Sequence, residues 1–126
     1  MILADTSLWI DYFRSGDRVF AEHRAGANIV IHPFIVAELA LGSLPQRLGT
    51  LTLLDNLPTV RVARGEEVRH LIETRSLYRQ GSGLIDAHLI ASTLIAPFTQ
   101  LWTRDRRLRS IAESLEIAAA LPWAKT

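Results

Sequence analysis

The 126-residue chain contains no cysteine. Disulfides, thiolate metal sites and cysteine nucleophiles are excluded together. Lysine is nearly missing too: Lys125 stands against thirteen arginines, so chemistry that needs a catalytic lysine has no candidate in the body of the chain. There is no Gly-x-x-x-x-Gly-Lys-Ser/Thr phosphate loop and no Gly-x-Ser-x-Gly elbow. Gly81-Ser-Gly83 lacks the third glycine of a dinucleotide loop and reads as a turn. No apolar run approaches the roughly 20 residues of a membrane-spanning helix. Met1-Ile-Leu-Ala meets an acid at position 5 without the basic region of a signal peptide. A soluble, cytoplasmic protein is expected. The net charge of +1 is too small to argue for nucleic acid by itself. The arginine bias suits bidentate phosphate contacts, but it follows as simply from GC-rich coding.

The chain does carry negative charge in costly places. Asp5 ends Met1-Ile-Leu-Ala, Glu38 lies within Phe34-Ile-Val-Ala-Glu-Leu-Ala-Leu41, Asp86 within Leu84-Ile-Asp-Ala-His-Leu-Ile90, and Asp105 ends Leu101-Trp-Thr-Arg. A lone carboxylate in such a setting is unfavourable unless something positive balances it. Most other acids have ordinary settings: Asp17 precedes Arg18, Glu66 and Glu67 lie near Arg69, and Glu73 lies near Arg75. Asp55 points outward if Leu48, Leu51, Leu54 and Pro58 form the inner stripe of its helix.

The length suits one domain, spanning residues 1–126 and burying roughly two thirds of the surface of the unfolded chain. Strands are predicted at residues 2–4, 28–31, 59–62 and 101–103, with an edge strand at 117–121 before a loose tail. Between them the periodicity predicts helices: one capped by Ser7, one over 17–24, one opened by Pro33, then 45–57, 66–80, one begun by Asp86, and a last one through 110–115. In the 66–80 helix Val68, Leu71, Ile72 and Tyr78 are expected inward. Phe34, Glu38 and Leu41 fall at i, i+4 and i+7, which puts Glu38 on an apolar stripe pointing inward. Alternating strands and helices imply an α/β domain with a mainly parallel sheet.

Ligands bind such sheets beyond the carboxyl ends of the strands, where Asp5 and Asp105 both lie. With Glu38 and Asp86 on helices that follow other strands, all four acids can converge. Converging carboxylates repel one another unless cations bind. Oxygen-only ligation favours Mg²⁺ or Mn²⁺ over zinc, and such ions act on phosphates. Asp5, Asp86 and Asp105 each have a simpler reading, as partners of helix N-termini. Glu38, in mid-helix, caps nothing. The histidines at 23, 32, 70 and 88 show no ligand spacing.

In order and spacing, Asp5-Thr-Ser-Leu-Trp-Ile-Asp11, Ala37-Glu38-Leu39, Leu84-Ile-Asp86-Ala-His-Leu-Ile-Ala91 and Trp102-Thr-Arg-Asp105 together resemble the PIN-domain ribonucleases, most closely the VapC toxins of toxin–antitoxin pairs. The resemblance spans the chain from Ile2 to about Leu121. It implies an α/β/α sandwich, Mg²⁺- or Mn²⁺-dependent cleavage of RNA, inhibition by a VapB-like antitoxin, and a homodimer. Asp5, Glu38, Asp86 and Asp105 match the acidic quartet that serves as catalytic and metal-binding set, with Thr6 and Thr103 in support. Some relatives carry a further acid where this chain has Arg107, which leaves a second metal short of protein ligands. Arg104, Arg106, Arg107 and Arg109 cluster there instead, to hold RNA or to form a solvated face.

Two alternatives stand beside a toxin nuclease. One is a catalytically silent PIN module that binds RNA or protein. The other is phosphoryl transfer through Asp5, which lacks its usual lysine. Trp9, Tyr12, Phe13 and Phe34 are expected in the core, with some of them exposed for a partner such as an antitoxin helix near Trp9, Tyr12 and Phe13.

Overall fold

The computed structural model describes residues 1–123; the tail with Lys125 lies outside the described residues. Three short strands, β1 (Ile2–Ala4), β2 (Ile29–Val30) and β3 (Gln100–Trp102), form a parallel sheet in the order β2-β1-β3. Ile2 pairs with Ile29 and Gln100, and Leu3 with Val30 and Leu101. Single parallel bridges, Ile31 to Thr59 and Leu101 to Ala118, extend the sheet on either side. The predicted strands at 59–62 and 117–121 are therefore reduced to one bridge each.

Parallel strands need helical crossovers. Helices α1 (Thr6–Ser15) and α2 (Arg18–Ala25) join β1 to β2, while α3 (Pro33–Leu41), α4 (Arg47–Asp55), α5 (Gly65–Thr74) and α6 (Leu84–Ile95) lead to β3, and α7 (Arg106–Ser114) follows it. The result is the expected α/β/α arrangement. Leu3, Ala4, Leu8, Trp9, Phe20, Leu101 and Trp102 are fully buried. Each large member contributes about 1.5–3 kcal/mol by leaving water. No helix among the described residues is long and apolar enough to cross a membrane.

Several expectations are corrected. Helix α1 begins at Thr6, and its N-cap is Asp5 rather than Ser7, whose N–H donates to the Asp5 carboxylate. In α3 the buried residues are Ile35 and Leu39, whereas Phe34 and Leu41 are exposed. Glu38 therefore lies beside the buried face, not on it. Leu48 is exposed in α4, and Pro58 is exposed after it, while Leu54 is buried and Asp55 faces water as expected. Helix α5 stops at Thr74; Ser76 and Arg79 take positive φ values of 52° and 64°, and Leu77 is buried where Tyr78 was expected.

Candidate active site

The carboxyl end of β1 delivers Asp5 directly to the start of α1. Its backbone N–H still donates to the Trp102 carbonyl, at 3.0 Å, so the β1–β3 ladder holds it in place. Asp5 Oδ1 accepts from the Ser7 N–H at 3.0 Å and from the Ser7 hydroxyl at 2.5 Å, while Oδ2 accepts from the Thr103 hydroxyl. Burial pushes the Asp5 carboxyl above the ordinary carboxylate range, against the lowering effect of the Ser7 and Thr103 hydroxyls.

Thr103 follows β3 and serves two acids at once. Its hydroxyl donates to Asp5 and accepts from the Asp105 N–H at 3.0 Å. Asp105 in turn caps α7, with Oδ1 accepting from the Leu108 N–H at 3.0 Å. Glu38 is half-buried, and its Oε1 accepts from the Thr6 hydroxyl at 2.7 Å. Asp86 stands in the first turn of α6. Burial first, then the charges of Asp105, Asp5 and Glu38, raise its carboxyl above the usual range. The other three acids thus lie within electrostatic reach of Asp86, although the four come from separate segments.

Among the described residues, no group of three or more His, Cys, Asp or Glu side chains is arranged as it stands to hold a metal ion. The donor chemistry nevertheless fits a hard divalent cation. The acids offer oxygen ligands alone, and Asp86 resists ionising because it is partly buried and, in addition, because three neighbours carry charge. Asp5 and Asp105 also act as caps, so the two readings of these residues coexist.

The arginines divide. Arg104 is occupied by Asp11 and Asp17. Arg109 pairs with Glu113 at 3.1 Å, donates to the Ala119 carbonyl at 2.8 Å and lies over the Trp123 ring. Arg107 donates weakly to the Gly81 carbonyl at 3.4 Å, and Arg106 is exposed. The four are therefore neither one RNA-facing patch nor one solvated face.

Sequence reading missed Ser7 as a partner of Asp5, and missed Asp11. Their four-residue spacing on α1 put both on one helical face, which was the available signal. It also left apart His32 and His88, which the fold brings to a ring separation of 6.4 Å with Phe34 edge-on to both. The buried His32 caps α3 through Nδ1, accepting from the Phe34 N–H at 3.0 Å. Burial, aided by His88, lowers its pKa to about 4.

Trp9 is wholly core, 4.8 Å from Phe20 ring to ring. Tyr12 accepts from Arg24 Nε at 3.1 Å. Phe13 instead lines an open groove of about 620 Å³ with Ile10, Arg14, Leu39, Leu44 and Glu38. Glu38, one of the four candidate acids, is thus part of the groove's lining.

Comparison with known proteins agrees with this geometry. The PIN domain family model matches residues 2–114. Ribonuclease VapC32 of Mycobacterium tuberculosis, in strains CDC 1551 / Oshkosh and ATCC 25618 / H37Rv, is 39% identical over 120 residues, covering 95% of this chain and 97% of the relative. A match of that extent leaves no other assignment: the chain belongs to the PIN-domain family, in its VapC ribonuclease branch.

Proposed function

We propose that the chain is the toxin endoribonuclease of a toxin–antitoxin pair, acting in the cytoplasm as one domain over residues 1–126, with Asp5, Glu38, Asp86 and Asp105 as its catalytic, metal-holding quartet. The observation that carries this reading is the convergence of acids from four separate segments, with Thr103 joining Asp5 to Asp105 and with Asp105, Asp5 and Glu38 close enough for their charges to act on Asp86. Divalent-metal dependence is general among PIN ribonucleases, and the oxygen-only donor set favours Mg²⁺ or Mn²⁺ here. When bound, such an ion neutralises phosphate charge and lowers the pKa of an attacking water.

The chain's own residues orient and anchor. Ser7 and Thr103 hold both oxygens of Asp5, Thr103 ties Asp105 to the same point, and Thr6 holds Glu38. Exposed Arg106, and Arg107 on releasing its weak bond to the Gly81 carbonyl, can meet RNA phosphates.

The VapC branch works with VapB antitoxins. We assign the antitoxin segment to the groove lined by Ile10, Phe13 and Leu39, with a basic side chain directed at Glu38. A homodimer accords with the family. The test is cleavage of RNA by purified protein with Mg²⁺ or Mn²⁺. Asp86→Asn should abolish cleavage and Asp55→Asn should not; equal rates in parent and Asp86→Asn would refute the assignment.

A further inference from the structure

Asp11 and Arg104 belong to the first and last sequence motifs, yet neither has a part in the chemistry so far. Arg104 Nη2 donates to Asp17 Oδ2, and its Nε lies 3.4 Å from Asp11 Oδ2. Among the described ion pairs, these are the ones in which both side chains are largely withdrawn from water. Asp17 is in addition the N-cap of α2, accepting from the Phe20 N–H at 2.9 Å. The Phe20 N–H and the Arg104 guanidinium hold the Asp17 carboxyl below its ordinary range.

The same residue reaches the acids through its backbone. The Arg104 N–H donates to the Ser7 hydroxyl oxygen at 3.1 Å, and that hydroxyl gives its one proton to Asp5. The preceding residue, Thr103, gives its proton to the other oxygen of Asp5 and accepts from the N–H of the following residue, Asp105. One peptide segment, residues 103–105, therefore holds Asp5 from both sides and supplies Asp105. Beyond Trp102 this segment has left the sheet, so something else must fix it. The Arg104 side chain can do so because its guanidinium reaches two carboxylates at once, hydrogen-bonded to Asp17 at the start of α2 and, through an Nε that makes no hydrogen bond, ion-paired with Asp11 on α1.

We propose that Arg104 is a positioning residue for RNA cleavage, clamping segment 103–105 onto Asp11 and Asp17 so that Asp5 and Asp105 are held in register. This rests on reading the quartet as the nuclease site. The guanidinium, already committed to two carboxylates, does not contact substrate phosphate. A lysine there keeps the charge but reaches one carboxylate as a point donor.

The experiment uses the full chain in three forms: the parent, Arg104→Lys, and the triple variant Asp11→Asn, Asp17→Asn, Arg104→Gln, which replaces all three charged groups by neutral amides. Steady-state RNA cleavage with Mn²⁺, melting temperature without metal, and amide hydrogen exchange at positions 104 and 105 in metal-free protein are measured on each. Misplacing reacting groups lowers turnover, so Arg104→Lys should lose about tenfold to a hundredfold in kcat, with KM changed by less than about twofold. Exchange at 104 and 105 should quicken by about tenfold or more. The triple variant should melt within about 5 °C of the parent without recovering kcat. Turnover that returns together with stability in the triple variant would show that Arg104 only stabilises. A raised KM with unchanged kcat in Arg104→Lys would show that it binds RNA. Either result overturns the proposal. A parent that cleaves no RNA would refute the nuclease reading, and unchanged exchange in Arg104→Lys would separately refute the clamp.

Discussion

The Thr103 hydroxyl donates to Asp5 and accepts from the Asp105 N–H, so one small side chain stands between a buried acid and the next. Thr103→Val keeps the shape and removes both bonds. Leaving those buried groups unsatisfied should cost about 1–3 kcal/mol in urea unfolding and lower RNA cleavage by about a hundredfold, while Thr103→Ser should restore most of both. A fully active Thr103→Val would show that Asp5 holds its place without this bond. His32 gives a separate pH signature. Its folded pKa of about 4 lies below the unfolded value near 6.5, so the unfolded chain takes up a proton first. Stability is then complete above about pH 6.5 and is lost as pH falls toward 4. Between pH 7 and pH 5 this amounts to roughly 2 kcal/mol. Asn at position 32 can still accept from the Phe34 N–H, so His32→Asn should flatten that part of the urea-midpoint profile; an unchanged slope would assign it to other groups.

Among the elements, α1 and α3 both line the groove that includes Glu38. If the antitoxin lies there, Ile10→Ala and Phe13→Ala should each weaken its binding by about 1–3 kcal/mol while leaving RNA cleavage near the parent rate. Unaltered affinity in both would move the partner elsewhere. How far the elements could be read in advance depended on local signals. Asp17, Pro33 and Asp105 mark helix starts with groups that act locally, and these starts were legible. The orientation of α3 was not. Pro33-Phe-Ile-Val-Ala-Glu-Leu-Ala-Leu41 is apolar on nearly every side, so only its neighbours decide that Ile35 and Leu39 go inward while Leu41 stays in water. The overlong reading of α5 has a similar cause, because Ser76 and Arg79 adopt the left-handed region without a glycine to announce it. The four acids were legible singly, as charges in apolar runs. The Arg104 pairing with Asp17, 87 residues away, is a product of tertiary folding and left no local trace.

At the scale of the whole molecule, the fold gathers four acids from the two ends and the middle of the chain onto one edge of a three-stranded sheet. That edge is electrostatically uncomfortable without a cation. Asp5 and Asp86 both have raised pKa values, so the metal-free fold is penalised above those values and relieved as pH falls through them. Added Mg²⁺ or Mn²⁺ should therefore raise the melting temperature, by the equivalent of about 2.7 kcal/mol at one hundred times Kd, and the rise should shrink as acidification protonates the carboxylates. Asp86→Asn should melt higher than the parent without metal and respond less to it. A metal response that persists undiminished in acid strong enough to protonate the carboxylates would remove them as the seat of binding. The most direct measurement of the central claim is RNA cleavage by purified, folded parent and Asp86→Asn proteins, each with Mn²⁺ and then with excess chelator. The account predicts cleavage only by the parent with metal. Cleavage by Asp86→Asn at the parent rate, or undiminished cleavage by the parent in chelator, would contradict it.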